Sequence, residues 1–390
     1  MKAFITLILA ILCCTSIALA DTYTGTTGDC TYTLDTSDST LVISGTGAMG
    51  DYTSSSAPWN SYHSYVKTVT IEDGVTSIGD YAFYGCYNLT SVTIGSSVTS
   101  IGAAAFCVCT SLTSITIGSG VTSIGSYAFN SSTSLTSITV SEENTAYVSV
   151  DGVLYSYDMT ELVRYPGGKT DTSFTIPESV TSIGESAFYY CAKLASVTIP
   201  NGVTSIGDYA FYDCYNLTNI TFGDNSALIS IGECAFYECT SLTSVTIGSS
   251  VTSIGVFAFY FCTSLMSVTS LNTTPPTIEG STFSDYSATL YAASTDYATA
   301  EYWENFTNIV YNTSGNAISS VTASTSAIRT AGSAIVITTE AAQTAQVYSL
   351  SGQLIVKQAV SAGETIIGMP TGGVYVVALN DGTRAKVLVK

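Results

Sequence analysis

The 390 residues are 46% apolar and only 10% charged, and 29 acidic against 10 basic side chains give a net charge of −19. That balance excludes nucleic acid and anionic lipid surfaces as partners, because both are held by a basic face. The chain starts with Lys2, an apolar run Ala3–Leu12 and small residues at Ala18–Ala20. This pattern predicts a signal peptide over residues 1–20, cleaved between Ala20 and Asp21. The run is too short to span a bilayer and no second one follows, so the mature chain is expected to be exported without a transmembrane span. Cys13 and Cys14 leave with the leader, and neither follows a lipidation motif.

Residues 21–65 precede the repetitive part and are read as an N-terminal cap. A sentence of 23 residues then recurs over 66–273. Aligned on Ser-Ile-Gly, it puts Ile at 78, 101, 124, 183, 206, 231 and 254, Phe five residues later, and Leu six after that. A period of this length with apolar residues at fixed offsets predicts a solenoid, in which coils too small to bury their own core share one. "LTSVTI" alternates as a strand, "VTSIG" is a second extended piece, and "DYAFYGC" is a tight turn or short helical piece. Strands of successive coils are expected to pair in parallel. An irregular segment, 141–177, interrupts the array.

Six cysteines fall at one offset: Cys86, Cys109, Cys191, Cys214, Cys239 and Cys262. Stacked in parallel they suit the disulfide torsion poorly, so a ladder of small buried thiols is expected. Cys30, Cys107 and Cys234 lie off the ladder, which leaves a stray bridge open. Residues 274–313 are read as the C-terminal cap, with Trp303 closing the last coil as Trp59 closes the first. Beyond this the period stops. Runs such as "AIVITT" and "GVYVVAL", with turns at Ser351-Gly352, Thr371-Gly372-Gly373 and Asp381-Gly382, predict a small all-β sandwich over 314–390.

"SVTIPNGVTSIGDYAFYDCYNLTNITF" at Ser196–Phe222 resembles the BspA-like leucine-rich repeat. "LVISGTGAMGDY" with "APWNSY" resembles that family's N-terminal cap, and "NTAYVSVDGVLYSYDMTELVRYPGGK" its irregular hairpin unit. The resemblance covers about residues 30–310 and implies a leucine-rich-repeat solenoid, mostly β, on a cell-surface or secreted, outer-membrane-associated binding protein. "VYSLSGQLI", "GMPTGGVYVVAL" and the terminal "KVLVK" resemble the sorting domain of type IX secretion substrates. That implies export of the Bacteroidetes type.

No catalytic constellation stands out. His63, the lone histidine, sits beside Trp59 in the cap and has no nucleophile or acid paired with it. No metal or cofactor motif occurs either. The chain is therefore expected to be non-catalytic and to need no cofactor. Two outward rows remain as candidate binding surfaces. One is Thr93, Thr116, Thr139, Thr198, Thr221, Thr246 and Thr269 on the strand face. The other is Tyr84, Tyr189, Tyr212, Tyr237 and Tyr260 on the turn side, where Tyr81, Tyr87, Tyr127, Tyr209 and Tyr215 also recur. Threonines suit a solvated strand and tyrosines suit covering a coil's edge, but tyrosine also gives rigid amphipathic contact at small entropic cost. The expected role is adhesin-like binding of a protein, cell or glycan outside the cell. The alternative is a passive envelope component that associates with itself.

Overall fold

The computed structural model describes residues 21–222, 226–311, 327–331, 334–339, 342–349, 354–369, 373–379 and 384–389. The expected leader, including Ala20, and the three expected turns of the C-terminal segment, apart from Gly373, lie outside the described residues. The chain divides into two compact units, Met1–Thr313 and Ser314–Lys390.

The first unit is a β-solenoid. The Ile of each Ser-Ile-Gly, the Phe and the Leu point inward and are buried in every repeat, except Ile124 and Leu265, which are half-buried. Successive strands pair in parallel and in register, as Ser137–Val140 does with Ser114–Ile117 and Ser196–Ile199 with Asn219–Phe222. Val92 and Ile94, which alternate with outward Thr93 on that strand, are only half-buried. The glycine after each Ile is needed because the coils approach closely there. A Cβ on Gly125 would lie 2.5 Å from the Ala103 nitrogen.

The phenylalanines form a stacked spine. Centroid separations along Phe188, Phe211, Phe236 and Phe259 are 4.6, 5.0 and 5.1 Å, with rings within 7° of parallel. Each buried ring contributes about 3–5 kcal/mol against alanine, judged from large-to-small core substitutions. The ladder thiols lie beside this spine, and all nine described cysteines are free. Each thiol from Cys109 onward donates to the carbonyl of the preceding coil's aromatic residue, as Cys214 Sγ does to Phe188 O at 3.1 Å. Ser132, the one exception in the ladder, makes the same bond to Phe106 O at 2.8 Å. The cysteines are hydrogen-bond donors that tie coil to coil.

The "DYAFYGC" segment is a turn, with no helical piece in it. Two residues per coil are left-handed: Tyr81 and Gly85, Ala104 and Val108, Tyr127 and Ser131, Ser186 and Tyr190, Tyr209 and Asp213, Cys234 and Glu238, Phe257 and Phe261. Only one of these is glycine, and each of the others costs about 1–2 kcal/mol of backbone strain. The alternation turns every second N–H toward the next coil. Tyr81, Phe83 and Gly85 donate to the carbonyls of Ala103, Ala105 and Cys107 at 2.8–3.0 Å. These bonds offset the strain.

The irregular unit breaks the array. Its hairpin, Tyr147–Val150 with Val153–Ser156, is followed by strand Glu161–Arg164, which pairs in parallel with Ser182–Ile183. The buried core is accordingly two clusters, one ending at Ile138 and Leu154 and the other beginning at Val153 and Tyr155. Arg164 spans them. It is 5% exposed, and its guanidinium donates to Phe129 O at 3.1 Å and Asn130 Oδ1 at 2.8 Å on one side. On the other side it donates to Ser186 O and to Tyr189 O.

The array ends are closed. Three antiparallel strands, Thr22–Thr27, Cys30–Asp35 and Thr40–Gly45, lead into the parallel stack at Thr68–Ile71. Trp59 stacks on Phe83 at 5.6 Å and donates Nε1–H to Ala82 O. At the other end Trp303 donates to Pro276 O and packs on Phe283 and Phe306. The second unit has two antiparallel sheets, of three and four strands, that share one core including Ile335, Ile337, Val347, Ile367 and Val377. It is a small all-β domain. No helix among the described residues is long and apolar enough to cross a membrane.

Candidate functional site

The threonine row is less continuous than its spacing suggests. Six of the seven are exposed and Thr269 is half-buried. Backbone pairing links Thr116 to Thr139, Thr198 to Thr221 and Thr246 to Thr269. It does not join Thr93 to Thr116 or Thr221 to Thr246 among the described residues. Thr116 and Thr139 spend their hydroxyls on each other at 2.8 Å.

The tyrosines are arranged differently. Tyr189, Tyr212, Tyr237 and Tyr260 form a column with centroids 4.9, 4.8 and 5.8 Å apart. Tyr84 occupies the same offset three coils before the irregular unit. Between it and Tyr189 the offset holds Cys107 and Asn130, so two rungs of the column are small. A trough of about 460 Å³ fills the gap. Its walls are Tyr81, Tyr84, Tyr127, Tyr189, Tyr209 and Tyr212, and Ala104, Cys107, Asn130 and Ser131 also line it. None of the seven threonines reaches it, and Tyr237 and Tyr260 continue the column beyond it.

Burial raises the hydroxyl pKa of Tyr84, Tyr189, Tyr209 and Tyr212, that of Tyr189 to about 12. Tyr127 is raised by burial and by its hydrogen bond to Glu185. These five hydroxyls are therefore neutral donors at ambient pH. Burial also pushes the Cys107 thiol up to about 11, so it is no nucleophile. Farther along the column Asp213 is raised to about 6 by burial and by the hydrogen bond its protonated form donates to Glu238. His63 packs edge-on against Tyr87 at 5.5 Å and pairs with Asn60 O, within the cap. No cluster of three or more metal-ligating side chains occurs among the described residues. The trough brings rigid rings, hydroxyls and one amide together around a concave floor.

Sequence reasoning missed Asn130 and Arg164. Arg164 was legible: it stands two residues after inward Leu162 on a strand, and so on the inward face.

A short repeat with inward leucine, isoleucine and phenylalanine, stacked through parallel strands, defines a leucine-rich-repeat solenoid. The model of the BspA-type leucine-rich repeat region matches six copies over residues 61–156 and 168–290, and the chain belongs to that family. Among solved structures it is similar to a leucine-rich repeat protein from Eubacterium ventriosum, with 26% identity over 70% of this chain and 87% of that one, TM-score 0.42. A leucine-rich cell surface protein from Faecalibacterium prausnitzii is 25% identical over 75% and 96%, TM-score 0.39. The pneumococcal vaccine antigen PcpA is 18% identical over 75% and 99%, TM-score 0.44. No curated protein matches the sequence.

Proposed function

We propose that this is an exported, non-catalytic recognition protein that holds a protein or glycan partner outside the cell, adhesin-like, in the tyrosine trough. The observation that supports it is the trough itself, where six tyrosines converge on a floor of small side chains. Such rings offer large apolar faces with a polar tip, and they sit on coils whose geometry is fixed before any partner arrives. The stacked threonines serve the strand face instead. Residues 1–20 direct export in this reading. The remaining partition is a cap over 21–65, repeats over 66–273, a second cap over 274–313 and a β-domain over 314–390. The last of these acts as a type IX sorting signal that leaves the protein associated with the outer surface.

The test uses the full chain and its Tyr84→Ala and Tyr212→Ala variants against immobilised host matrix proteins and a glycan array. Saturable binding that weakens by about tenfold or more in both variants, with melting temperatures little changed, is the expected outcome. Binding that survives both substitutions sinks the trough as the site. Concentration-dependent assembly without an outside partner would mark the protein as a self-associating envelope component. Intact mass of the cell-surface species tests the sorting role, which predicts loss of the segment after residue 313.

A further inference from the structure

The backbone of the coil before the irregular unit is set for a bond it does not make. In every neighbouring coil the alternate turn N–H groups have an acceptor in the next coil: Ala104, Phe106 and Val108 donate to Ser126, Ala128 and Asn130, and Ser186, Phe188 and Tyr190 donate to Asp208, Ala210 and Tyr212. The equivalent N–H groups of Tyr127, Phe129 and Ser131 have no protein acceptor among the described residues. Tyr127 and Ser131 are left-handed, at φ 61° and 56°, as the equivalent residues of the neighbouring coils are, so the three donors face the side where the next coil would lie. The irregular unit causes this, because the coil that would cover them is displaced.

A cavity of about 200 Å³ lies at this break, lined by Ser126–Asn130, Arg164 and Gly184–Ser186 among others. Arg164 is the second observation. The residue is 5% exposed, all four of its hydrogen-bond acceptors are neutral, and among the described residues its Nε–H has no partner. No carboxylate forms an ion pair with it among the described residues. A buried cation without a counter-charge is costly, and a bound anion is what would relieve it.

The remaining lining decides which anion. Glu161 and Glu185 are exposed at the same cavity, and Glu185 already accepts from Ser126 Oγ at 2.7 Å. Two carboxylates disfavour a phosphate dianion or a polysulfate, but they accept hydrogen bonds from hydroxyl groups. Tyr127 and Asn130 line both this cavity and the tyrosine trough, so the two are adjoining parts of one surface. Aromatic walls next to a one-anion pocket rimmed by hydroxyl acceptors match a sugar that carries a carboxylate. We propose, resting on the trough reading above, that the site takes an acidic glycan, with the sugar carboxylate on the Tyr127 and Phe129 amides beside the Arg164 charge and the neighbouring sugar rings on the tyrosines.

Calorimetric titration of the full chain tests this. The ligands are 3′-sialyllactose and a galacturonic acid trisaccharide, with lactose, a neutral galactose trisaccharide and lactose 3′-sulfate as comparators. The expected result is that at least one carboxylated sugar binds about tenfold or more tighter than its neutral partner, and that arm tells sialic from uronic acid. Asn130→Asp supplies an internal carboxylate to Arg164. It is expected to melt no lower than the wild type and to lose the preference for acidic sugar, which keeps the test independent of a folding defect. Equal affinity for acidic and neutral sugars overturns the carboxylate site while leaving the trough reading intact. Preference for the sulfate, or no binding of any sugar, overturns the proposal outright; in the latter case a protein partner for the trough is still tested by the matrix-protein arm above.

Discussion

The array on either side of the irregular unit is built from the same sentence, yet the two sides differ. From Ser182 onward every rung is filled: Phe188 to Phe283 stack without a gap, and Tyr189 to Tyr260 stack beside them. Before it the phenylalanine spine persists from Phe83 to Phe129, but the tyrosine column has lost two rungs. Repetition builds the scaffold, and failure of the repetition builds the concave surface. Backbone donors, a buried cation and a trough all appear where one coil does not copy its neighbour.

The comparison can be broken first at the spine. Phe211→Ala, in the regular half, should destabilise the array by about 3–5 kcal/mol in urea unfolding, because a fully buried ring leaves a cavity between two stacked neighbours. If the loss is under about 1 kcal/mol, the spine is not what holds the coils. Arg164→Met tests the joint instead. It strips the donors from four acceptors in both core clusters and should cost about 2–4 kcal/mol. Unfolding should then separate into two steps by hydrogen exchange, the N-terminal half against the C-terminal half; a single cooperative step would show that the hairpin alone couples them. Cys214→Val should cost about 1–3 kcal/mol by leaving the Phe188 carbonyl without its donor, whereas Cys214→Ser should be tolerated, as Ser132 is at the same offset. Equal losses would make the ladder a matter of packing volume.

The smallest effect concerns the column beyond the trough. Asp213 binds its proton more tightly folded than unfolded, since its pKa rises from 3.8 to about 6. Its protonated form therefore stabilises the array at low pH, and that contribution is lost as pH rises through about 6. Asp213→Asn should melt about 1 °C above the wild type near pH 8 and together with it near pH 4. An unchanged difference across that range would remove Asp213 from the pH response.

Much of this was written in the sequence. The 23-residue spacing fixes which residues stack, because a coil can bury its Ile, Phe and Leu only against a copy of itself. The cysteine offset placed the thiols together, and Trp59 and Trp303 were legible as end caps. What the spacing did not carry is direction and continuity. Side-chain identities alone do not reveal that Tyr127, Val108 or Cys234 is left-handed, since these residues rarely adopt that conformation and do so only where coil-to-coil hydrogen bonds offset the strain. Nor could a linear repeat show that Tyr84 and Tyr189, separated by an irregular segment of the chain, face one trough. That depended on how far the hairpin displaces one coil from the next, which is a property of packing between segments distant in sequence. The composition of the surface was determined residue by residue; the tyrosine trough was decided by the break between neighbouring coils.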